Sequence, residues 1–345
     1  MKVPVLVDLG KIEFQEKPKP EPLSGEVLIK VEYCGICGSD VYGYSKGITV
    51  QLGTVMGHEC SGVVVEVGKE VQNVQPGDRV WVKPATQCGE CYWCQRGQFK
   101  SCLKTFERII GLSPRNDGAF AEYLLVKYPN GMLFKLSPKV SFQEAALVEP
   151  LSVSLHGVRM SRFKPGDRAV VVGAGMIGLG VIQFLRLGGA GKIIVLEISS
   201  SRSRIARDLG ANVVLNPMSE GQNLGDQIFG LTDGIGADIV FECSGVASGL
   251  QNTITYVSHG GQIIVIGLHE KELPFNFWTM LHREVEMKGS LGYSSEFNYV
   301  LDFFENEKIN AQNFISDVIK LDDLEEKGFK RLLSSQDMVK CLVRP

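Results

Sequence analysis

Apolar residues recur along this chain in two different rhythms. Up to about position 155 they come in short runs broken by glycine and proline, as in EVLIKVEYC (26–34), CSGVVVEVG (60–68) and DRVWVKP (78–84). Turn signals such as KPKPEP, QPGD and GHE separate them, which predicts many short strands in a barrel-like, β-rich domain. Near 142 the rhythm changes, because SFQEAALVEPLSVSLHGV has helical apolar spacing. From 168 onward the runs RAVVVG, KIIVLEI, NVVLN, ADIVFECSG, QIIVIGL and VEMKGSL read as strands. They alternate with MIGLGVIQFLRLGG, SSSRSRIARDLG, LGDQIFGL and ASGLQNTITYV, which read as helices. Six strands with intervening helices predict a doubly wound parallel sheet, so the fold class is α/β. Past about 290 the alternation stops. EFNYVLDFFENEKI and DLEEKGFKRLL read as amphipathic helices and KCLVRP as a closing strand. This tail is expected to return to the first domain, giving one domain of 1–156 plus 291–345 and a second of 157–290.

The 345 residues are 44% hydrophobic and 22% charged, the texture of a globular protein large enough for two cores. The formal net charge is −3 and no basic run or stripe appears, so nucleic acid is not expected as a partner. MKVPVLVDLGKIEF carries no apolar h-region, and no apolar run approaches the length of a membrane span. A cytoplasmic location is therefore expected. Nine cysteines sharpen the picture, since seven of them fall between positions 34 and 102. In a reducing compartment, clustered cysteines point to metal ligation or catalysis before disulfides.

CGECYWCQRGQFKSC places Cys88, Cys91, Cys94 and Cys102 in the pattern C-x2-C-x2-C-x7-C. Tetrahedral zinc takes four thiolates, and short spacings let one tight turn aim several sulfurs at a single ion. An iron–sulfur cluster uses the same ligand type. With every ligand supplied by protein no position is left for substrate, so this zinc is expected to fold the loop. A four-cysteine loop also occurs in nucleic-acid-binding ribbons, but only Arg96 and Lys100 are basic within it.

A second candidate centre starts from CGICGSDVYGY (34–44), where Cys37 lies in a glycine-rich turn, and from GHECSG, where His58 and Glu59 follow a glycine. Glu149 stands in VEPLSVSLH. Cysteine, histidine and carboxylate are the ligand types of a catalytic zinc that keeps one position open. Separately, His58 is as readily a core histidine and Glu149 a helix cap; beside the four-cysteine loop they form a stronger set.

C-G-S-D, G-H-E, the four-cysteine loop and E-P-L, in this order and spacing over essentially the whole chain, resemble the zinc-dependent medium-chain dehydrogenase/reductase (alcohol dehydrogenase) family. ALVEPLSVSLHGV, VFECSGV, GSLGYSSEF and LDDLEEKGFKRLL are similar to the 2,3-butanediol and sorbitol (polyol) dehydrogenases. The resemblance implies a GroES-like N-terminal domain with two zincs. Cys37, His58 and either Glu59 or Glu149 would bind the catalytic one. It also implies that Ser39 touches the substrate oxygen and begins a proton relay. The family usually continues that relay through a histidine three residues on, but here the position holds Tyr42. Tyrosine titrates near about 10 and is a poor base at neutral pH. Ser39 is therefore expected to pass its proton through a cofactor ribose or water, with Tyr42 supplying shape and at most a hydrogen bond.

GAGMIG (173–178) follows the strand RAVVV and opens the helix MIGLGVIQF, the context in which G-x-G-x-x-G marks a dinucleotide-binding Rossmann unit. Gly173 serves the tight turn, Gly175 the approach of pyrophosphate, and Gly178 the close packing of helix on strand. The helix N-terminus at Met176 and Ile177 offers free N–H groups to the phosphates. Glu197, near the end of KIIVLEI, can accept both ribose hydroxyls and would repel a 2′-phosphate, so NAD is expected over NADP. Arg202 could instead receive that phosphate; in the resembling family an arginine there packs on the adenine. The resemblance places the VIGL run, with Ile266, Gly267 and Leu268, and Ser290, Leu291 and Gly292 at the nicotinamide end.

The expected activity is reversible oxidation of a secondary alcohol (a diol, polyol or hydroxylated ring) to a ketone, with zinc and NAD. A dehydrogenase of a phosphorylated or amino polyol shares these motifs, and a non-enzymatic member of the fold is the remaining alternative. The resemblance also implies a homo-oligomer, dimer or tetramer.

Overall fold

The computed structural model describes residues 1–219 and 223–345. They form two compact units, 1–149 with 297–345, and 150–296.

In the first unit, β1 (Lys2–Asp8) and β2 (Lys11–Glu16) make an antiparallel hairpin turning at Gly10. β3 (Val27–Gly35) leads into helix α1 (Gly38–Lys46). β4 (Glu59–Val67), β5 (Arg79–Val82), β6 (Tyr123–Val126) and β7 (Leu133–Lys135) follow, and then helix α2 (Phe142–Met160). The division between the units falls inside α2, at Glu149/Pro150.

The second unit alternates as its sequence predicts. Its strands are β8 (Arg168–Val172), β9 (Lys192–Leu196), β10 (Val213–Leu215), β11 (Ala237–Glu242), β12 (Val257–Val265) and β13 (Glu286–Gly289). Between them come α3 (Met176–Leu187), α4 (Ser200–Asp208), α5 (Leu224–Leu231), α6 (Ala247–Asn252) and α7 (Phe277–His282). The sheet order is β10-β9-β8-β11-β12-β13, with every pair parallel. β8 and β9 are buried along four consecutive residues each, which is why they read as unbroken apolar runs.

After α8 (Glu296–Glu305) the chain joins the first unit, where β14 (Ile315–Lys320) and β15 (Lys340–Arg344) complete its large sheet. That sheet runs β14-β15-β3-β4-β5-β7, with β6 also paired to β3. The expected helix at 323–333 is wound as a π-helix over Leu324–Lys330 followed by one α-turn. Its Phe329 stacks on Tyr44 of α1 at 4.8 Å and meets Phe120 edge-on at 6.2 Å, all within the buried core.

No helix among the described residues is long and apolar enough to cross a membrane.

Candidate active site and cofactor site

The segment 34–44, expected as a glycine-rich turn, is mostly helix: Cys37 is the N-cap of α1. Two features explain it. The Asp40 carboxylate at N3 accepts the Cys37 N–H at 2.9 Å, half of a capping box. A side chain at Gly43 would strike Val50, its Cβ falling 2.4 Å from Cγ2, so the chain returning past the helix needs glycine there. Cys37 and Ser39 thus sit in the first turn of a fixed helix.

His58 is buried just ahead of β4, with Nε2 3.4 Å from Ser39 Oγ. Its Nδ1 faces Asp40 Oδ1 at 3.5 Å without hydrogen-bond geometry, and both atoms are buried without a hydrogen-bond partner. Burial opposes charge on His58, but Asp40 and Cys37 outweigh it and hold its pKa well above the usual value. A histidine with Nδ1 toward a carboxylate and Nε2 toward a serine is the arrangement of a metal ligand oriented from behind.

Glu59 opens β4 and pairs in register with Gly35 of β3, which in turn pairs with Leu342 of β15. Across that bare glycine Lys340 reaches Glu59, its Nζ at 2.8 and 2.7 Å from the two carboxylate oxygens and 2.9 Å from the Ile36 carbonyl. A Cβ at position 35 would lie 2.2 Å from Glu59 Oε2. Glu149, in α2, is buried, and burial together with the nearby Glu59 pushes its pKa up to about 7. Three buried carboxylates (Asp40, Glu59, Glu149) and one buried ammonium leave an acidic centre suited to a cation. These groups are neighbours and not a tight cage: among the described residues only the four loop cysteines bring three or more ligand atoms within 4.8 Å of one another.

In that loop the Cys88 and Cys94 sulfurs are 3.9 Å apart. A ZnS4 tetrahedron with Zn–S of about 2.3 Å has edges of about 3.8 Å, so the sulfurs fit zinc. The Cys88 N–H donates to Cys102 Sγ at 3.2 Å and the Cys91 N–H to Cys88 Sγ at 3.3 Å. Burial pushes the Cys102 thiol up, but the amides of Cys88 and Lys104 overcome this and bring it to about 6. Backbone amides also lower the Cys91 thiol, whereas burial pushes Cys94 up to about 12, so Cys102 and Cys91 are the readier thiolates.

In the second unit Gly173, at φ 88°, turns the chain after β8 against Ser244, where a Cβ would come within 2.9 Å. Gly175 caps α3 without any side-chain bond, so the first-turn amides of Met176 and Ile177 have no side-chain cap competing with an anion. A Cβ at Gly178 would meet the Gly173 carbonyl at 1.9 Å. Glu197 follows β9, nearly buried. Its Oε2 accepts the Ala174 N–H at 2.7 Å, and its Oε1 accepts those of Ile198 and Ser199 at 2.9 and 2.8 Å. It therefore also ties the glycine turn to β9, a role its position in the sequence does not reveal. Arg202 Nη1 lies 3.9 Å from Glu197 Oε2 and beside Gly175. Ile266 and Gly267 donate to the Glu242 carbonyl at 2.9 and 3.0 Å, with Leu268 exposed next to them. Beyond β13, Ser290 Oγ is buried without a partner and Leu291 is exposed. Glycines that leave room at a helix N-terminus, and a carboxylate on the neighbouring strand, fit a dinucleotide.

Sequence reasoning missed Asp40, Lys340, Glu242 and His269. Asp40 stands inside the quoted C-G-S-D. Lys340 was visible as a cation opening the apolar run of the closing strand. His269 carries no signal in the sequence.

The fold and these two sites define a zinc-binding dehydrogenase. Residues 23–138 match the Alcohol dehydrogenase GroES-like domain and residues 177–306 the Zinc-binding dehydrogenase family, and the chain belongs to this zinc-dependent alcohol dehydrogenase family. It is 37% identical over 347 residues to the (R,R)-butanediol dehydrogenase of Bacillus subtilis, covering 97% of this chain and 96% of the relative. With the sorbitol dehydrogenase of the same organism it shares 29% over 350 residues, covering 100% and 97%. The crystal structure of a zinc-binding dehydrogenase from Sinorhizobium meliloti bound to NADP superposes with a TM-score of 0.91 at 30% identity, covering 100% of this chain and 99% of that one.

Proposed function

We propose that the protein reversibly oxidises a secondary alcohol of the diol or polyol class to a ketone, with NAD as hydride acceptor. The observation that carries this is the grouping of Cys37, Ser39 and His58 beside buried carboxylates, with Ser39 Oγ 3.4 Å from His58 Nε2. The likeness to butanediol and sorbitol dehydrogenases supports the substrate class.

Cys37, His58 and Glu149 hold the catalytic zinc. Glu59, the other candidate, has both oxygens engaged by Lys340, which favours Glu149 as the third ligand. Asp40 orients His58 from behind. Cys88, Cys91, Cys94 and Cys102 hold a second, closed zinc that stabilises the loop. Zinc, when bound, supplies Lewis acidity that favours loss of the alcohol proton, and NAD, when bound, supplies the hydride acceptor. Ser39 Oγ accepts that proton and releases its own to water. Tyr42 supplies shape: the Lys46 ammonium lies 4.5 Å from its ring centroid, and its hydroxyl makes no hydrogen bond among the described residues.

Glu197 supports NAD over NADP by occupying the place of a 2′-phosphate. The edge strand β13 and the exposed Phe277, Trp278 and Leu281 of α7 support a homo-oligomer. The cysteine cluster suits the reducing cytoplasm. The test is cofactor reduction with NAD and NADP over butanediols, polyols and simple secondary alcohols, before and after chelation. Turnover of a diol with NAD that chelation abolishes is expected; turnover that survives complete zinc removal overturns the reading.

A further inference from the structure

Glu242, the last residue of β11, is fully buried, and its carboxylate gathers donors from two separate turns. Oε1 accepts the Ser244 N–H at 2.8 Å, the Ser244 hydroxyl at 2.5 Å and the Gly245 N–H at 3.0 Å. Oε2 lies 2.9 Å from His269 Nε2. A carboxylate only accepts, so the ring proton sits on Nε2. Gly267 is drawn so close that a Cβ there would fall 2.4 Å from Oε2, and one at Gly245 would fall 2.9 Å from the Leu268 carbonyl. Ser244, held by the same carboxylate, is also the residue against which Gly173 turns. One buried charge therefore sets three turns at the carboxyl ends of β8, β11 and β12. The amides of Ser244 and Gly245 serve the local turn. His269 is the side chain that fastens the turn after β12 to it.

The sheet order places these turns. From β8 the chain moves outward to β9 and β10, then crosses back to β11, so the topological switch lies between β8 and β11. A dinucleotide straddles that point outside the strand ends. With Glu197 on the β9 side for the adenosine half, the other half lies over β11 and β12, where Val246 and Leu268 are left exposed.

We propose that the His269–Glu242 pair is a positioning device for the nicotinamide half of the cofactor, holding the turns 244–246 and 266–269 at the spacing the ring requires; this rests on the dinucleotide reading given above. His269 acts through Glu242 and the turn backbones, without touching the reacting atoms.

The experiment compares binding of NADH and of ADP-ribose, which carries the adenosine half without nicotinamide, to the zinc-loaded protein and its His269→Leu, His269→Asn and His269→Gln variants. Leucine and the shorter asparagine remove the bond, and either one suffices if the other does not fold. Both should weaken NADH about tenfold while leaving ADP-ribose within about twofold. His269→Gln, whose amide can still donate to Glu242, should restore most of the NADH affinity. Equal losses for both nucleotides, or no loss for either, overturn the proposal. Wild-type protein that binds neither nucleotide overturns the dinucleotide reading as well, so the two failures are distinguishable.

Discussion

The Lys340 ammonium sits against both carboxylate oxygens of Glu59, at 2.8 and 2.7 Å, across the bare backbone of Gly35. Both side chains are buried. Burial opposes the charge on Lys340, but Glu59 and Cys37 more than offset it and raise its pKa. Removing one partner of a buried pair strands the other, at a cost of about 3–5 kcal/mol. Lys340→Met should therefore lower the unfolding free energy from urea titration by an amount of that order, and adding Glu59→Gln should recover part of it. A Lys340→Met protein as stable as wild type would show that Glu59 finds its countercharge elsewhere.

Metal content separates the two centres. Elemental analysis of the fully loaded protein should give about two zincs per chain. Cys91→Ser should lose one of them and lower the melting temperature, because a closed site contributes folding energy outright. Cys37→Ser should also lose one, keep its fold and lose turnover. An active Cys37→Ser enzyme would remove Cys37 from the ligand set.

Much of this was open to a reader of the chain, for reasons of range. The alternation of β8 to β13 with helices, the four-cysteine loop and the glycine turn are all written within short stretches, where period and spacing act directly. Helix α1 was not legible: Gly38 and Gly43 suggest a turn, and only the Asp40 cap and the demand of Val50 for space at Gly43 make a helix of it. Lys340 and Glu59 are 281 residues apart, and His269, in the turn after β12, is 27 residues from Glu242 at the end of β11. Such pairings depend on strand order, which a single sequence does not encode locally.

The proton path can be tested at the first turn of α1. Ser39 Oγ is near His58, whereas the Tyr42 hydroxyl makes no hydrogen bond among the described residues. A group that moves a proton typically contributes about 10²–10⁴-fold. Ser39→Ala should lose turnover within that range, and Tyr42→Phe should lose less than about fivefold. Equal losses in kcat would make the tyrosine hydroxyl a member of the relay.

Glu296 gives a pH signature in the second unit. Burial pushes its carboxyl up, but the bond to His156 Nδ1 at 3.1 Å and the Ser294 N–H at 2.7 Å prevail, and its pKa falls to about 2 from 4.5. A depressed folded-state pKa means its contribution is complete above pH about 4.5 and disappears as pH falls toward 2. Glu296→Gln should therefore melt below wild type at pH 7, with the gap closing as pH falls from about 4.5 toward 2. A gap constant across that range would show that shape, and not ionisation, is what the glutamate supplies.

Cofactor choice turns on Glu197 and Arg202. The carboxylate accepts three backbone N–H groups, including that of Ala174 in the glycine turn, and Arg202 Nη1 stands 3.9 Å away. A 2′-phosphate would have to approach this buried negative charge, while a 2′-hydroxyl can donate to it. Glu197→Ala removes the repulsion and frees Arg202 to meet a phosphate, but it also unties the turn from β9. NAD should lose on both counts; NADP should lose on the second and gain on the first. The ratio of kcat/KM for NADP to that for NAD should accordingly rise at least about tenfold, even though both values fall. An unchanged ratio with both values lowered would leave Glu197 as a structural tie alone. A wild-type preference for NADP would assign Arg202 to the phosphate and sink the argument from the carboxylate.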